Sequence, residues 1–143
     1  MKIVRNILAV VIGWAVSGLV NMALIKLGHS VIALPAGADV STMENLRVAM
    51  QSFGPEQYMF PFLAHAVGAL VGAFVAAVIA ASHKMIFAMV IGILGLVGGI
   101  AAGIWLGAPL WFDAVDFIFA YIPMAWIGAK LAGAGRAPNE GHH

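Results

Sequence analysis

Cysteine is absent from the 143 residues. That excludes disulfides, thiol redox relays and cysteine-ligated zinc or iron–sulfur centres. It also removes the four-helix, quinone-linked disulfide oxidoreductases that a chain of this size would otherwise fit. Charge is nearly as scarce. Charged residues make up 9% of the chain, against about 25% in a soluble globular domain. Such a chain cannot cover a water-facing surface, so a soluble enzyme is excluded. Seven Lys and Arg against six Asp and Glu leave a net charge of +1, which is no electrostatic footprint for nucleic acid. No P-loop, G-x-S-x-G, H-E-x-x-H or dinucleotide fingerprint occurs, so no catalytic constellation is visible and an enzyme is not expected.

What the chain does have is apolar length. Hydrophobic residues are 63% of it and the mean hydropathy is +1.02. Four apolar segments run over about 3–27, 57–81, 85–106 and 112–131. Each is near the ~20 residues needed to cross ~30 Å of hydrocarbon as a helix. A helix is the one open segment that satisfies its own backbone in lipid. Lys2 and Arg5 ahead of the first run, with Ala36-Gly37-Ala38 after it, resemble a secretory signal. The apolar stretch Ile7–Ile25 is longer than the roughly 7–15 residues of a signal core, so it reads as a membrane helix. The expected fold is all-α, an integral membrane bundle of four transmembrane helices with an amphipathic outer helix between the first and second. One domain is expected over 1–132, followed by a cytoplasmic tail, 133–143, whose last residues, Gly141-His142-His143, look like part of an expression tag.

The connections differ. Ser82-His83-Lys84 and Gly107–Trp111 are tight turns. The 28–56 link is long and carries its own helix signal. Ser41 and Glu44 have capping-box spacing, Met43, Leu46, Met50 and Phe53 recur at roughly helical spacing, and Gly54-Pro55 ends the run. A helix of this kind lies flat on the bilayer or caps the bundle. Basic residues set the orientation. Lys2, Arg5, Lys84, Lys130 and Arg136 collect on one side, and Lys26 and Arg47 on the other. The first side is therefore expected to be cytoplasmic, with both termini inside. Asp39, Glu44, Glu56, Asp113 and Asp116 fall on the outer side, and Glu140 inside.

In lipid, burying leucine drives little association, whereas close approach through small residues does. Ala64, Gly68, Gly72, Ala76 and Ala80 stand four apart, as do Gly95, Gly99 and Gly103, with Gly92 and Gly98 beside them. Gly13, Ser17 and Asn21 form a matching row in the first segment, and Ala125, Gly128 and Ala129 mark the fourth. Gly68, Gly72, Gly95, Gly99 and Gly103 are the expected helix-packing positions. Pro123 lies inside the fourth segment, where a missing amide frees the Phe119 carbonyl and a kink is expected.

Ionisable groups in hydrocarbon are costly and are functional candidates by default. By helix rise, His65 lies about 12 Å from the outer end of its segment, Asn21 about 9 Å and Asp116 about 6 Å, with Asp113 one turn above Asp116. All four share the outer half of the membrane. His65, Asp113, Asp116 and Asn21 are thus the candidate ligand-binding residues. A structural reading stands beside this one: a hydrogen-bonded neutral imidazole at His65, with Asp113 and Asp116 capping their helix. A zinc or manganese site would draw on His65, Asp116, Glu44 and His29. Met22, Met43, Met50 and Met59 with His29 offer soft ligands for Cu(I), though methionine is also a common gap-filler. Trp105, Trp111 and Tyr58 fit an interfacial belt, and Trp14, near mid-bilayer, is expected to pack and find an acceptor for its N–H.

Three stretches, Phe60-Pro61-Phe62-Leu63-Ala64-His65 continuing to Gly72, Ser82-His83-Lys84, and Pro109–Asp113 followed by Ala120–Trp126, resemble an uncharacterised family of small bacterial four-helix integral membrane proteins. The resemblance spans about residues 1–132. It implies bacterial inner-membrane location and architecture, and transfers no catalytic or binding residues. The expected function is a binding or transport module with an outward-facing polar pocket for a cation, proton or lipid headgroup. The alternative is an accessory subunit that docks onto another membrane protein through glycine-rich helix faces. The partners this implies are the lipid bilayer and either further copies of the chain or another membrane protein. The cofactor is left unspecified.

Overall fold

The computed structural model describes residues 1–136, and they contain α-helix, short 3-10 turns and no strand. Glu140 and the tag-like Gly141–His143 lie outside them. The helices are α1 (Lys2–Val31), α2 (Met43–Ala49), α3 (Met59–Ile79), α4 (Lys84–Leu106), α5 (Leu110–Phe119) and α6 (Ile122–Leu131). Four stretches are long and apolar enough to cross a membrane: Lys2–Val31, Pro55–Ile79, Lys84–Leu106 and Leu110–Leu131. The last is two helices rather than one kinked helix. Pro123 sits in the first turn of α6, and the chain breaks at Ala120–Tyr121. The proline ring and its missing N–H leave no continuous ladder across Phe119.

The helix α3 is the centre of the bundle and packs against α1, α4 and α6. Its buried positions are alanine and glycine throughout, including Ala69, Gly72, Ala73, Ala76 and Ala77. Small residues of this kind let helix backbones approach closely. At the α1–α3 crossing, a Cβ on Gly72 would lie 2.7 Å from the Gly13 carbonyl oxygen and 2.6 Å from Ser17 Cβ. A Cβ on Gly68 would lie 3.0 Å from the Ser17 carbonyl oxygen. On the opposite face, Gly128 is pressed against the Leu70 carbonyl of α3, and a Cβ on Gly92 would come 2.7 Å from Ala125 Cβ. Gly98 has nothing within 4 Å. The packed unit runs slightly past the expected boundary, since Ala134 is buried with Ala77, Ala88 and Ala129.

One end of the bundle is tied by the first turns of α1. The Arg5 guanidinium donates to the Ile79 carbonyl, an unpaired acceptor at the end of α3. Asn6 accepts from the Ala81 amide at 2.8 Å and donates to the Ser82 hydroxyl at 3.1 Å. His83 takes the left-handed conformation, φ 50°, which lets the turn into α4 close in few residues.

At the other end the 32–58 connection folds over the bundle. Gln57 donates to the Ala33 carbonyl at 3.1 Å and accepts from the Gly54 amide at 2.7 Å. The expected helix is there but starts one residue late. Thr42, not Ser41, is its N-cap and accepts from the Asn45 amide at 3.1 Å. Ser41 is engaged upstream, where its amide donates to Asp39 at 2.8 Å. Bonds from the Ser41 hydroxyl and amide, in that order, hold the Asp39 carboxyl below its ordinary 3.8. Glu44 closes no capping box and faces Arg47 at 4.0 Å. Thr42→Ala should therefore speed hydrogen exchange of the 45–49 amides about fivefold, the equivalent of ~1 kcal/mol for a lost cap. Ser41→Ala should change it less.

Two aromatic expectations are corrected. Tyr58 is 4% exposed, since Phe53, Trp111 and Phe112 enclose its ring with centroids 4.7–5.8 Å away. Trp14 is 60% exposed. Its indole lies on the surface of the bundle and is not packed within it.

Candidate binding site

At the end of the bundle that carries α2, the helices α1, α3, α4 and α5 do not close on one another. They leave a cavity of about 480 Å³ roofed by α2 and the connection on either side of it. Two local features create it. The α1 helix runs 30 residues, about 45 Å at 1.5 Å per residue, and its last turns, packed at Gly28 against Phe60, form one wall of the cavity. On α4, Gly99 and Gly103 line the cavity and leave room for side chains arriving from the fourth segment. A Cβ on Gly103 would lie 2.9 Å from Asp113 Oδ1, and one on Gly99 would collide with the Tyr121 hydroxyl. A Cβ on Gly95 would lie 2.9 Å from the same tyrosine ring. Gly95, Gly99 and Gly103 were expected to bring helix backbones together; they form a recess that receives the Tyr121 and Asp113 side chains, while Gly92 does meet α6 at Ala125.

The deep end of the cavity is polar. His65 Nδ1 lies 2.8 Å from Asp116 Oδ1 and 2.9 Å from Oδ2, and its N–H donates to that carboxylate. With Nδ1 so used, Nε2 is the polar atom the ring has left. The His65 side chain is 25% exposed and that of Asp116 is 2% exposed. The Tyr121 hydroxyl donates to Asp116 Oδ2 at 3.2 Å, and its ring stacks on the imidazole, 5.5 Å between centroids at 26°. Asp116 is therefore held from two sides, and the imidazole is fixed by both a hydrogen bond and a stacked ring. Asp113 sits one turn earlier on α5. Its Oδ1 is buried and has no hydrogen-bond partner.

Height along the helices, which grouped these residues in the sequence, agrees with the His65–Asp116 contact, and Asp113 lies one turn away, all three lining the cavity. Asn21 is not brought there. It faces Gly68 across the α1–α3 contact, nearly a turn of α3 below His65, and its Oδ1 is buried without a partner. The metal set does not assemble. Among the described residues no three His, Asp or Glu side chains converge on one point. Of His65, Asp116, Glu44 and His29, only the first two touch. His29 stands on the α1 wall of the cavity, and Glu44 points outward, 65% exposed, beside Arg47. The reason is the amphipathicity of α2, which turns its charged face away from the roof. Met22, Met43 and Met50 line the cavity, while Met59 is 56% exposed outside it.

Tyr121 is the site residue that sequence reasoning missed. In an unbroken helix, positions five apart point about 140° away from each other, so nothing linked it to Asp116. The break ahead of Pro123 turns it back. The signal available was scarcity: the chain has two tyrosines, and a phenol in hydrocarbon needs an acceptor.

Comparison of the chain with protein-family models, with curated proteins and with solved structures returned no match.

Proposed function

We propose that the chain is an integral protein of a bacterial inner membrane, crosses it four times with both termini in the cytoplasm, and serves as a binding or transport module rather than an enzyme. The four apolar stretches support the crossings. The excess of Lys and Arg at the end that holds Lys2, Arg5, Lys84 and Lys130 supports the orientation. In this frame the cavity opens toward the outer face. The observation that carries the reading is the His65–Asp116 pair, with Asp116 buried, at the deep end of a predominantly apolar cavity. A few convergent polar groups in an apolar concavity are the usual make-up of a ligand site. The ligand is a cation, a proton or a lipid headgroup. A bundle of this size has no internal repeat to rock, so transport would use a homo-oligomer. The small bacterial four-helix family that the sequence resembles fits this location and adds no activity.

The accessory reading needs glycine faces free to dock. Within the helices only Gly18 and Gly98 have open space beside them. The rest are occupied within the chain, which favours the binding module.

Two measurements test the proposal. The chain has no native cysteine, so Ser41→Cys gives a single labelling site. A membrane-impermeant maleimide should label it from outside in intact cells; labelling confined to inverted vesicles would overturn the orientation. Metal and lipid analysis of purified protein should show a ligand retained by the native chain and reduced at least tenfold in His65→Ala. Equal content in the two would overturn the site.

A further inference from the structure

The deep end of the cavity carries more acid than base. Asp113 and Asp116 stand one turn apart on α5, and one imidazole can offset at most one of them. His65 is committed to Asp116 by contacts of 2.8 Å and 2.9 Å. Among the described residues, Asp113 has no ion-pair partner; its Oδ1 is packed against Gly103 and closed to the cavity, which leaves Oδ2 as the carboxylate oxygen a ligand can reach. Lys26 and His29 stand on the α1 wall of the same cavity, and neither is paired with Asp113. A carboxylate that lines a largely apolar cavity without a cation beside it is expensive. The group missing from this site is therefore a hydrogen-bond donor that also carries positive charge.

The rest of the cavity specifies what that charge is attached to. Phe60 and Phe112 line the walls, and Met43 and Leu46 line the roof from α2. Aromatic faces hold a cation and its substituents, and thioether and aliphatic side chains adapt to an apolar body. The volume, about 480 Å³, lies in the range that accommodates small organic ligands. A hydrated metal ion would leave most of that surface unused.

We propose that the cavity is a site for a lipophilic amine, its protonated nitrogen donating to the Asp113 carboxylate and its apolar body lying between Phe60, Phe112 and the α2 roof. This rests on reading the cavity as a ligand site, and it narrows the ligand to a class. The pairing makes a chemical distinction. A primary or secondary ammonium supplies both charge and N–H. A quaternary ammonium supplies charge alone, and an alcohol supplies a donor alone.

The test uses the full chain in lipid nanodiscs, titrated calorimetrically at neutral pH with octylammonium, octyltrimethylammonium and octanol, with empty nanodiscs subtracted. Octylammonium should bind at least tenfold tighter than either of the others. Asp113→Asn should remove that advantage and leave octanol unchanged. Equal affinity of the native protein for the three probes, or an undiminished preference for octylammonium in Asp113→Asn, would overturn the assignment. Should Asp113→Asn not fold, the ranking of probes by the native chain decides the matter alone. Leu46→Trp, which fills the cavity from its roof, separates this assignment from the reading beneath it. Equal binding of the probes that Leu46→Trp abolishes would leave a ligand cavity without an amine preference. Octylammonium binding unaffected by Leu46→Trp would remove both.

Discussion

Gly72→Leu should lower the melting temperature of the purified protein by on the order of 10 °C, or prevent its recovery, in a thermal scan followed by tryptophan fluorescence. The leucine would begin with a Cβ 2.7 Å from the Gly13 carbonyl oxygen and 2.6 Å from Ser17 Cβ, with Ile91 Cγ2 at 3.2 Å on the other side. A carbonyl oxygen belongs to the backbone and cannot swing aside. The α1–α3 contact, the most extensive in the bundle, would have to separate along much of its length. Overpacking of this kind costs about 3 kcal/mol or more when the neighbour is main chain, which is several degrees in a chain of this length. Gly98→Leu is the internal control. Gly98 meets nothing within 4 Å, and leucine is a better helix former than glycine by somewhat under ~1 kcal/mol. That substitution should leave the melting temperature unchanged or raise it. Equal losses from the two would show that the drop reflects glycine replacement in general and not the crossing with Gly13.

His65→Ala should destabilise the bundle by about 3 kcal/mol in a reversible detergent-unfolding titration, because it strands Asp116 in the interior. The Asp116 side chain is 2% exposed and would keep one partner, the Tyr121 hydroxyl at 3.2 Å. Asp116→Ala should cost less. The imidazole it leaves behind is 25% exposed and borders the cavity, where water can reach it. The double variant His65→Ala/Asp116→Ala should be more stable than the sum of the singles by about 1–3 kcal/mol, the coupling expected of groups in direct contact. Additive losses would mean that the pair contributes nothing as a pair. The comparison also isolates stability from binding, since the double variant keeps Asp113 and the apolar walls.

The four long apolar helices were legible because length and apolarity alone mark them, and each stretch meets the requirement without reference to any other. The glycine rows were legible as positions, and not in what they receive. Four-residue spacing puts Gly95, Gly99 and Gly103 on one face of α4, but a recess of that shape admits a helix backbone or a side chain equally well. Only the break ahead of Pro123 sends Tyr121 into it. Depth proved a partial guide to the site for a related reason. Counting residues from a helix end gives height along the membrane normal and says nothing of rotation about the axis. His65 and Asp116 matched in both. Asn21 matched in height and faces Gly68 instead. The α2 cap was misplaced by one position because Ser41 and Thr42 are both competent caps. The hydroxyl that meets the Asn45 amide is that of Thr42.

The alanine interior of α3 has a consequence for how this sequence can vary. Ala69, Ala73, Ala76 and Ala77 are each 3% exposed or less, and every one already ends in a single methyl. Trimming has almost nothing left to remove, whereas any other replacement adds atoms where none fit. A saturation scan of this helix should therefore be lopsided, with glycine tolerated and valine, leucine or phenylalanine ruinous. Mutational drift along this stretch can fail in one direction only, toward excess.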